Sequence, residues 1–110
     1  MAQQSLEQDV YYSSMGDDAD LSEIVRMFVD EMPDRIKKLN SCYEADDQEG
    51  LGRAAHQLKG AAGSYGFDQI TPYAGCLESA VRENHSDDEV KQALDALVGA
   101  CEKVRAGVSA

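Results

Sequence analysis

Residues 47–65, DQEGLGRAAHQLKGAAGSY, carry the reading from which the fold class follows. Counting about 100° per residue, Leu51, Ala55, Leu58, Ala62 and Tyr65 fall within about 40° of one line, the spacing of a helix with one buried face. Gly66 follows at once, and glycine readily takes the left-handed backbone that closes helices. On the same wheel Gly52, His56, Lys59, Gly60 and Gly63 lie about 80–180° from the apolar line, so they form a stripe that faces solvent.

Outward from this segment the same period repeats. A helix over about 20–45 aligns Leu21, Ile24, Val25, Phe28, Met32, Ile36, Leu39 and Tyr43, with Pro33 expected to kink it by removing one ladder bond. Another, over about 68–83, buries Ile70, Tyr73, Ala74, Leu77 and Val81; Pro72 leaves its start open between Asp68 and Thr71. The last, about 86–107, carries Val90, Leu94, Leu97, Val98 and Cys101, and a short one over about 5–13 carries Leu6, Val10 and Tyr11. Ser5 with Gln8, Asp20 with Glu23, Asp46 with Glu49 and Ser86 with Glu89 have capping-box spacing, which sets the expected starts. Runs with strand-like alternation are missing. The expectation is an all-α, antiparallel four-helix bundle with a short additional N-terminal helix, filling residues 1–110 as a single domain.

At 110 residues the chain can build one modest core. Its net charge of -11 argues against nucleic acid or an anionic membrane as partner, since both are bound through clustered Lys and Arg. No apolar run reaches the roughly 18 residues that a membrane span requires, and MAQQSLEQDV does not read as a signal peptide, so a cytoplasmic location is expected. The initiating methionine suggests a complete chain. Cys42, Cys76 and Cys101, odd in number and widely spaced, read as buried free thiols.

The exposed stripe breaks the ordinary rules of helix design. Each interior glycine costs roughly 0.8–1.0 kcal/mol relative to alanine, so three on one face forfeit roughly 2–3 kcal/mol. Bare backbone lets another surface come close to the side chains that remain, His56 and, one turn on, Lys59. An exposed histidine is ordinarily just a surface residue, but scattered flexibility would not align glycines beside it. A neutral imidazole nitrogen is a good nucleophile toward phosphorus, and a neighbouring ammonium attracts phosphoryl oxygens. The wheel offers no acid to orient His56 as a general base, and no phosphate-cradling loop accompanies it, so a donor must come from outside. Metal binding is not expected: nothing pairs with His56 at i,i+4, and His85 falls in an inter-helix turn.

The segment Ala54–Phe67, AAHQLKGAAGSYGF, resembles the signature of histidine-phosphotransfer (HPt) domains. The resemblance reaches Phe28, Pro33 and Leu39 upstream and Cys76, Leu77 and Glu78 downstream, a family-like core of about 20–105. It implies a four-helix bundle in which His56 is phosphorylated on Nε2 and Lys59 stands beside the phosphoryl group. Gly60 and Gly63 match the small positions where a receiver domain approaches, whereas Gly52 and Arg53 are less tightly fixed docking candidates. It further implies a phosphorelay intermediate with no ATP site of its own. Such a carrier takes phosphate from the aspartyl-phosphate of one receiver and passes it to an aspartate in another, the receiver supplying Mg²⁺.

The expected partners are therefore receiver domains of response regulators or a hybrid histidine kinase, met by a monomer without a cofactor of its own. The rival reading is a binding module that docks on a receiver or kinase and inhibits it without taking phosphate. Undiminished binding and inhibition by His56→Gln would favour that rival. A hydrolase using His56 as base would require turnover without any receiver.

Overall fold

The computed structural model describes residues 10–16 and 18–107. Four helices account for most of them: α1 (Ser22–Glu44), α2 (Gln48–Ser64), α3 (Thr71–Arg82) and α4 (Asp87–Cys101). Two short strands, β1 (Tyr11–Tyr12) and β2 (Val104–Arg105), complete the chain. α2 packs on α1 and α3, and α4 packs on α3 and α1, so all four helices contribute to one core.

The helix boundaries follow from backbone chemistry. Asp46, Gly66 and Asn84 have φ of 57°, 82° and 58°, and each stands just beyond the end of a helix. At Gly66 the amide bonds Gly63 O at 3.3 Å and Phe67 N bonds Ala62 O at 2.8 Å, which satisfies two orphan carbonyls of α2. Asp46 and Asn84 close α1 and α3 with the same paired bonds. Asp46 is thus a terminator of α1 rather than the cap expected for α2. That role belongs to Asp47, whose carboxylate accepts from Gly50 N at 2.9 Å.

Ser86 and Glu89 form the expected reciprocal capping box at the start of α4. Asp20 and Glu23 do not cap α1: its first flanking residue is Leu21, without a side-chain cap, and Asp18 instead accepts from Asp20 N at 2.8 Å. Pro33 lies inside α1, which runs on without interruption, while α3 takes the later of its two possible starts with Pro72 in its first turn.

The chain termini depart from the sequence expectation in a linked way. Val10 to Ser13 are not helical, and residues 5–9 of the expected N-terminal helix lie outside the described residues. β1 pairs in parallel with β2, Tyr11 opposite Val104 and Tyr12 opposite Arg105, so α4 stops at Cys101 rather than near Gly107. Tyrosine and valine suit a half-buried pleated surface, and pairing buries both Tyr11 and Val104. Parallel strands need a long crossover; the four helices provide it.

Phe28 stacks on Tyr65 and Phe67, with ring centroids 5.1 and 5.4 Å apart, tying α1 to the closing turn of α2. Ser13 reinforces that turn by donating its hydroxyl to Tyr65 O, and Ser14 N bonds Gly66 O at 2.9 Å. Cys42 and Cys101 are buried as expected. Cys76, Ile24 and Tyr73 are exposed instead, because each lies at the margin of its helix's apolar stripe.

Candidate functional site

Ala55 and Leu58 are buried in the core, which turns the intervening His56 outward with 60% of its side chain exposed. On α3, buried Ala74, Leu77 and Val81 leave Glu78 and Arg82 on the flank that meets α2. Three cationic or donor groups converge on the Glu78 carboxylate. His56 Nδ1 lies 2.9 Å from Oε2, Lys59 Nζ lies 2.8 Å from Oε1, and Arg82 Nε lies 3.0 Å from Oε2. Only 12% of the Glu78 side chain is exposed, which protects these bonds from competition with water.

The bond to Lys59, followed by that to His56, holds the Glu78 carboxyl below its ordinary range, although burial pushes the other way. An ionised carboxylate only accepts hydrogen bonds, so its partner Nδ1 carries the proton. In the neutral ring Nε2 is then the nitrogen without a proton, and its lone pair is available. The expectation that no acid orients His56 is therefore overturned. A wheel drawn for one helix cannot display a carboxylate that arrives from another.

The glycines sort into two groups. Among the described residues a Cβ at Gly60 would meet nothing within 4 Å, and one at Gly63 only Thr71 Oγ1 at 3.9 Å, so both leave bare, exposed backbone beyond His56. Gly52 is buried instead, and a Cβ there would stand 3.4 Å from Val81 Cγ1 and 3.9 Å from Arg82 Nε. Gly52 thus faces α3 rather than solvent, which corrects its placement on the exposed stripe. Gly75 lies beneath the Lys59 stem, where a notional Cβ would stand 3.7 Å from Cδ, an ordinary contact distance. The lysine stem crosses α3 there to reach Glu78.

Arg53 is exposed and pairs with Glu49 one turn earlier at 3.5 Å, a solvated contact of little energetic weight. His85 lies in the turn before α4, 3.2 Å from Glu83, apart from the Glu78 cluster. Among the described residues no group of three or more His, Cys, Asp or Glu side chains could hold a metal ion.

An exposed histidine held through Nδ1 by a carboxylate, flanked by a lysine and by open backbone, is equipped to receive an electrophile from a docked partner. The family model of the Hpt domain matches residues 23–107. The chain belongs to the Hpt domain family. No curated protein and no solved structure matches the sequence. As an Hpt domain it serves histidine phosphotransfer in a two-component phosphorelay, working with receiver domains or histidine kinases. Among its described residues no helix is long and apolar enough to cross a membrane.

Glu78 is the member of the His56 cluster that residue-by-residue reading missed. The available signal was its position beside the Ala74, Leu77, Val81 stripe with Arg82 at i,i+4, a charged flank on a helix that must pack against α2.

Proposed function

We propose that His56 is the phosphoryl acceptor and that the domain relays phosphate between two receiver aspartates. The observation that supports this reading is the 2.9 Å contact between His56 Nδ1 and Glu78 on a side chain that is 60% exposed; in the neutral ring it leaves the Nε2 lone pair free. In the forward step that lone pair attacks the phosphorus of an aspartyl-phosphate. The Nε2–P bond forms as the P–O bond breaks, and the electron pair leaves with the receiver's carboxylate. Nδ1 keeps its proton, so the ring acquires positive charge, which the Glu78 carboxylate stabilises. Passing the group to a second receiver reverses these steps and restores the neutral ring.

Lys59 supplies positive charge to the phosphoryl oxygens, and the open backbone at Gly60 and Gly63 admits the receiver, with Arg53 at the edge of the contact. Mg²⁺ belongs to the receiver in this scheme, because phosphoryl transfer is chiefly positioning and charge stabilisation, and the domain contributes the nucleophile. The protein works as a cytoplasmic monomer. Short connections between successive helices support an alternating, antiparallel course of the bundle.

Incubation with a phosphorylated receiver domain tests the reading. Wild-type protein acquires an acid-labile label and His56→Gln does not; no label on the wild type, or equal labelling of the variant, would sink it.

A further inference from the structure

The Glu78 carboxylate is shared unevenly. Among the described residues Lys59 alone holds Oε1, whereas Oε2 is shared by His56 Nδ1 and Arg82 Nε. A Lys59 that turns fully to a phosphoryl group on Nε2 leaves Oε1. Abandoning one oxygen of a carboxylate with so little solvent contact costs more than parting an exposed pair, since water cannot readily replace the lysine. Some other cation must cover the vacated oxygen.

Arg82 is placed for that task. It is one helical turn from Glu78, and its Nε is already bonded to Oε2. A guanidinium presents further N–H groups in the same plane, a fork that matches both oxygens of a carboxylate. Gly52 contributes through absence: the Arg82 Nε would lie 3.9 Å from a Cβ there, so a longer side chain at that position would occupy the space through which the guanidinium turns. Arg82 also retains 58% exposure, so it can move without repacking the core.

We propose that Arg82 is a positioning residue that takes over Oε1 of Glu78 when Lys59 leaves it for the phosphoryl group on His56. This rests on His56 being the phosphoryl acceptor. Arg82 thereby acts through Lys59: by covering Oε1 it frees the lysine for the phosphoryl group.

The prediction that separates this role from a merely structural one is non-additivity. Phosphoramidate serves as donor, because it transfers its phosphoryl group to an imidazole nitrogen with loss of ammonia and needs no receiver docking. Formation and decay of the phosphohistidine signal are followed by ³¹P NMR in wild type, Arg82→Ala, Lys59→Ala and the double variant. Arg82→Ala alone slows formation or shortens the lifetime by about three- to tenfold, while in the Lys59→Ala background it has no further effect. Unchanged kinetics in Arg82→Ala, or a full multiplicative loss in the double variant, would overturn the exchange. Circular dichroism confirms that each variant is folded, and Arg82→Gln, which keeps much of the stem and removes the charge, gives the same pattern if the side chain's charge is what matters. A wild type that gains no signal, or one that His56→Gln gains equally, would defeat the functional reading and the exchange together.

Discussion

Lys59 Nζ lies 2.8 Å from Glu78 Oε1, so the ammonium expected beside a phosphoryl group is engaged with a carboxylate before any phosphate arrives. The same carboxylate accepts from His56 Nδ1. The proposed nucleophile and the lysine are thus held through one residue on a neighbouring helix. Glu78→Gln keeps the shape but presents one amide oxygen and an NH₂ group, which removes the negative charge and allows the amide to donate toward the ring. Loss of one charge-assisted bond, and of the tautomer it fixes, lowers the rate of phosphoryl acceptance about ten- to hundredfold. Single-turnover transfer from a phosphorylated receiver measures the rate, and ¹⁵N shifts of the imidazole report the tautomer. A wild-type rate with an unchanged Nδ1–H tautomer would show that Glu78 is only a structural anchor.

The Glu78 carboxyl also writes a signature into stability. Lys59, His56 and Arg82 all face it, and the Lys59 bond leads in lowering its pKa from the ordinary 4.5. A depressed carboxyl contributes stability that is fully present above the unfolded value and is lost as pH falls through the folded one. The melting temperature of the wild type therefore exceeds that of Glu78→Gln above the ordinary carboxyl value, and the difference shrinks progressively as the pH falls below it. Parallel melting curves that keep a constant offset over this range would contradict the assignment.

How legible these features were depends on the range of the interactions behind them. The apolar spacing of Leu51, Ala55, Leu58 and Ala62 is a local property of one helix, and α2 falls where that spacing puts it. His56, Gly60 and Gly63 were legible for the same reason. Gly52 was not, because its burial is decided by Val81 on another helix. The Glu78 contacts to His56 and Lys59 bridge α2 and α3, and no periodicity within either helix encodes them. At the ends of the chain, Tyr11 and Val104 favour pleated backbone only once they meet, so each alone reads as an extension of a neighbouring helix. Asp46 and Asn84 were hidden differently: both adopt the left-handed conformation that glycine advertises and other residues do not.

The three cysteines differ enough in environment to be ordered by reactivity. Cys76 is exposed on α3, while Cys42 and Cys101 are buried. Burial, reinforced by Glu102, pushes the Cys101 thiol up to about 12, so almost none of it is thiolate at pH 8. A short iodoacetamide pulse at that pH modifies Cys76 first, and Cys42 and Cys101 react only when the chain is unfolded. Peptide mapping by mass spectrometry gives the order; Cys101 modified as fast as Cys76 would mean that its helix opens on the timescale of the pulse. The raised thiol has a sign of its own. Above about pH 9 the unfolded chain ionises while the folded thiol stays neutral, so Cys101 drains stability as pH climbs toward 12.

Gly60 sets stability against function most directly. A Cβ at this position meets nothing within 4 Å, so Gly60→Ala introduces no clash and gains the helix propensity that glycine forfeits, about 0.8–1.0 kcal/mol. For a domain of this size that raises the melting temperature by about 4 °C. The added methyl group stands on the exposed face one turn beyond His56, where a receiver must bring its aspartate within bonding distance. The half-saturating receiver concentration therefore rises, while labelling by phosphoramidate, which needs no protein surface, stays at the wild-type rate. Gly63→Ala, with Thr71 Oγ1 as its only neighbour within 4 Å, follows the same pattern. Thermal melts, receiver titrations and the small-donor reaction on one preparation separate the three effects. Greater stability with unaltered receiver transfer in both variants would show that the bare backbone does not form the docking face.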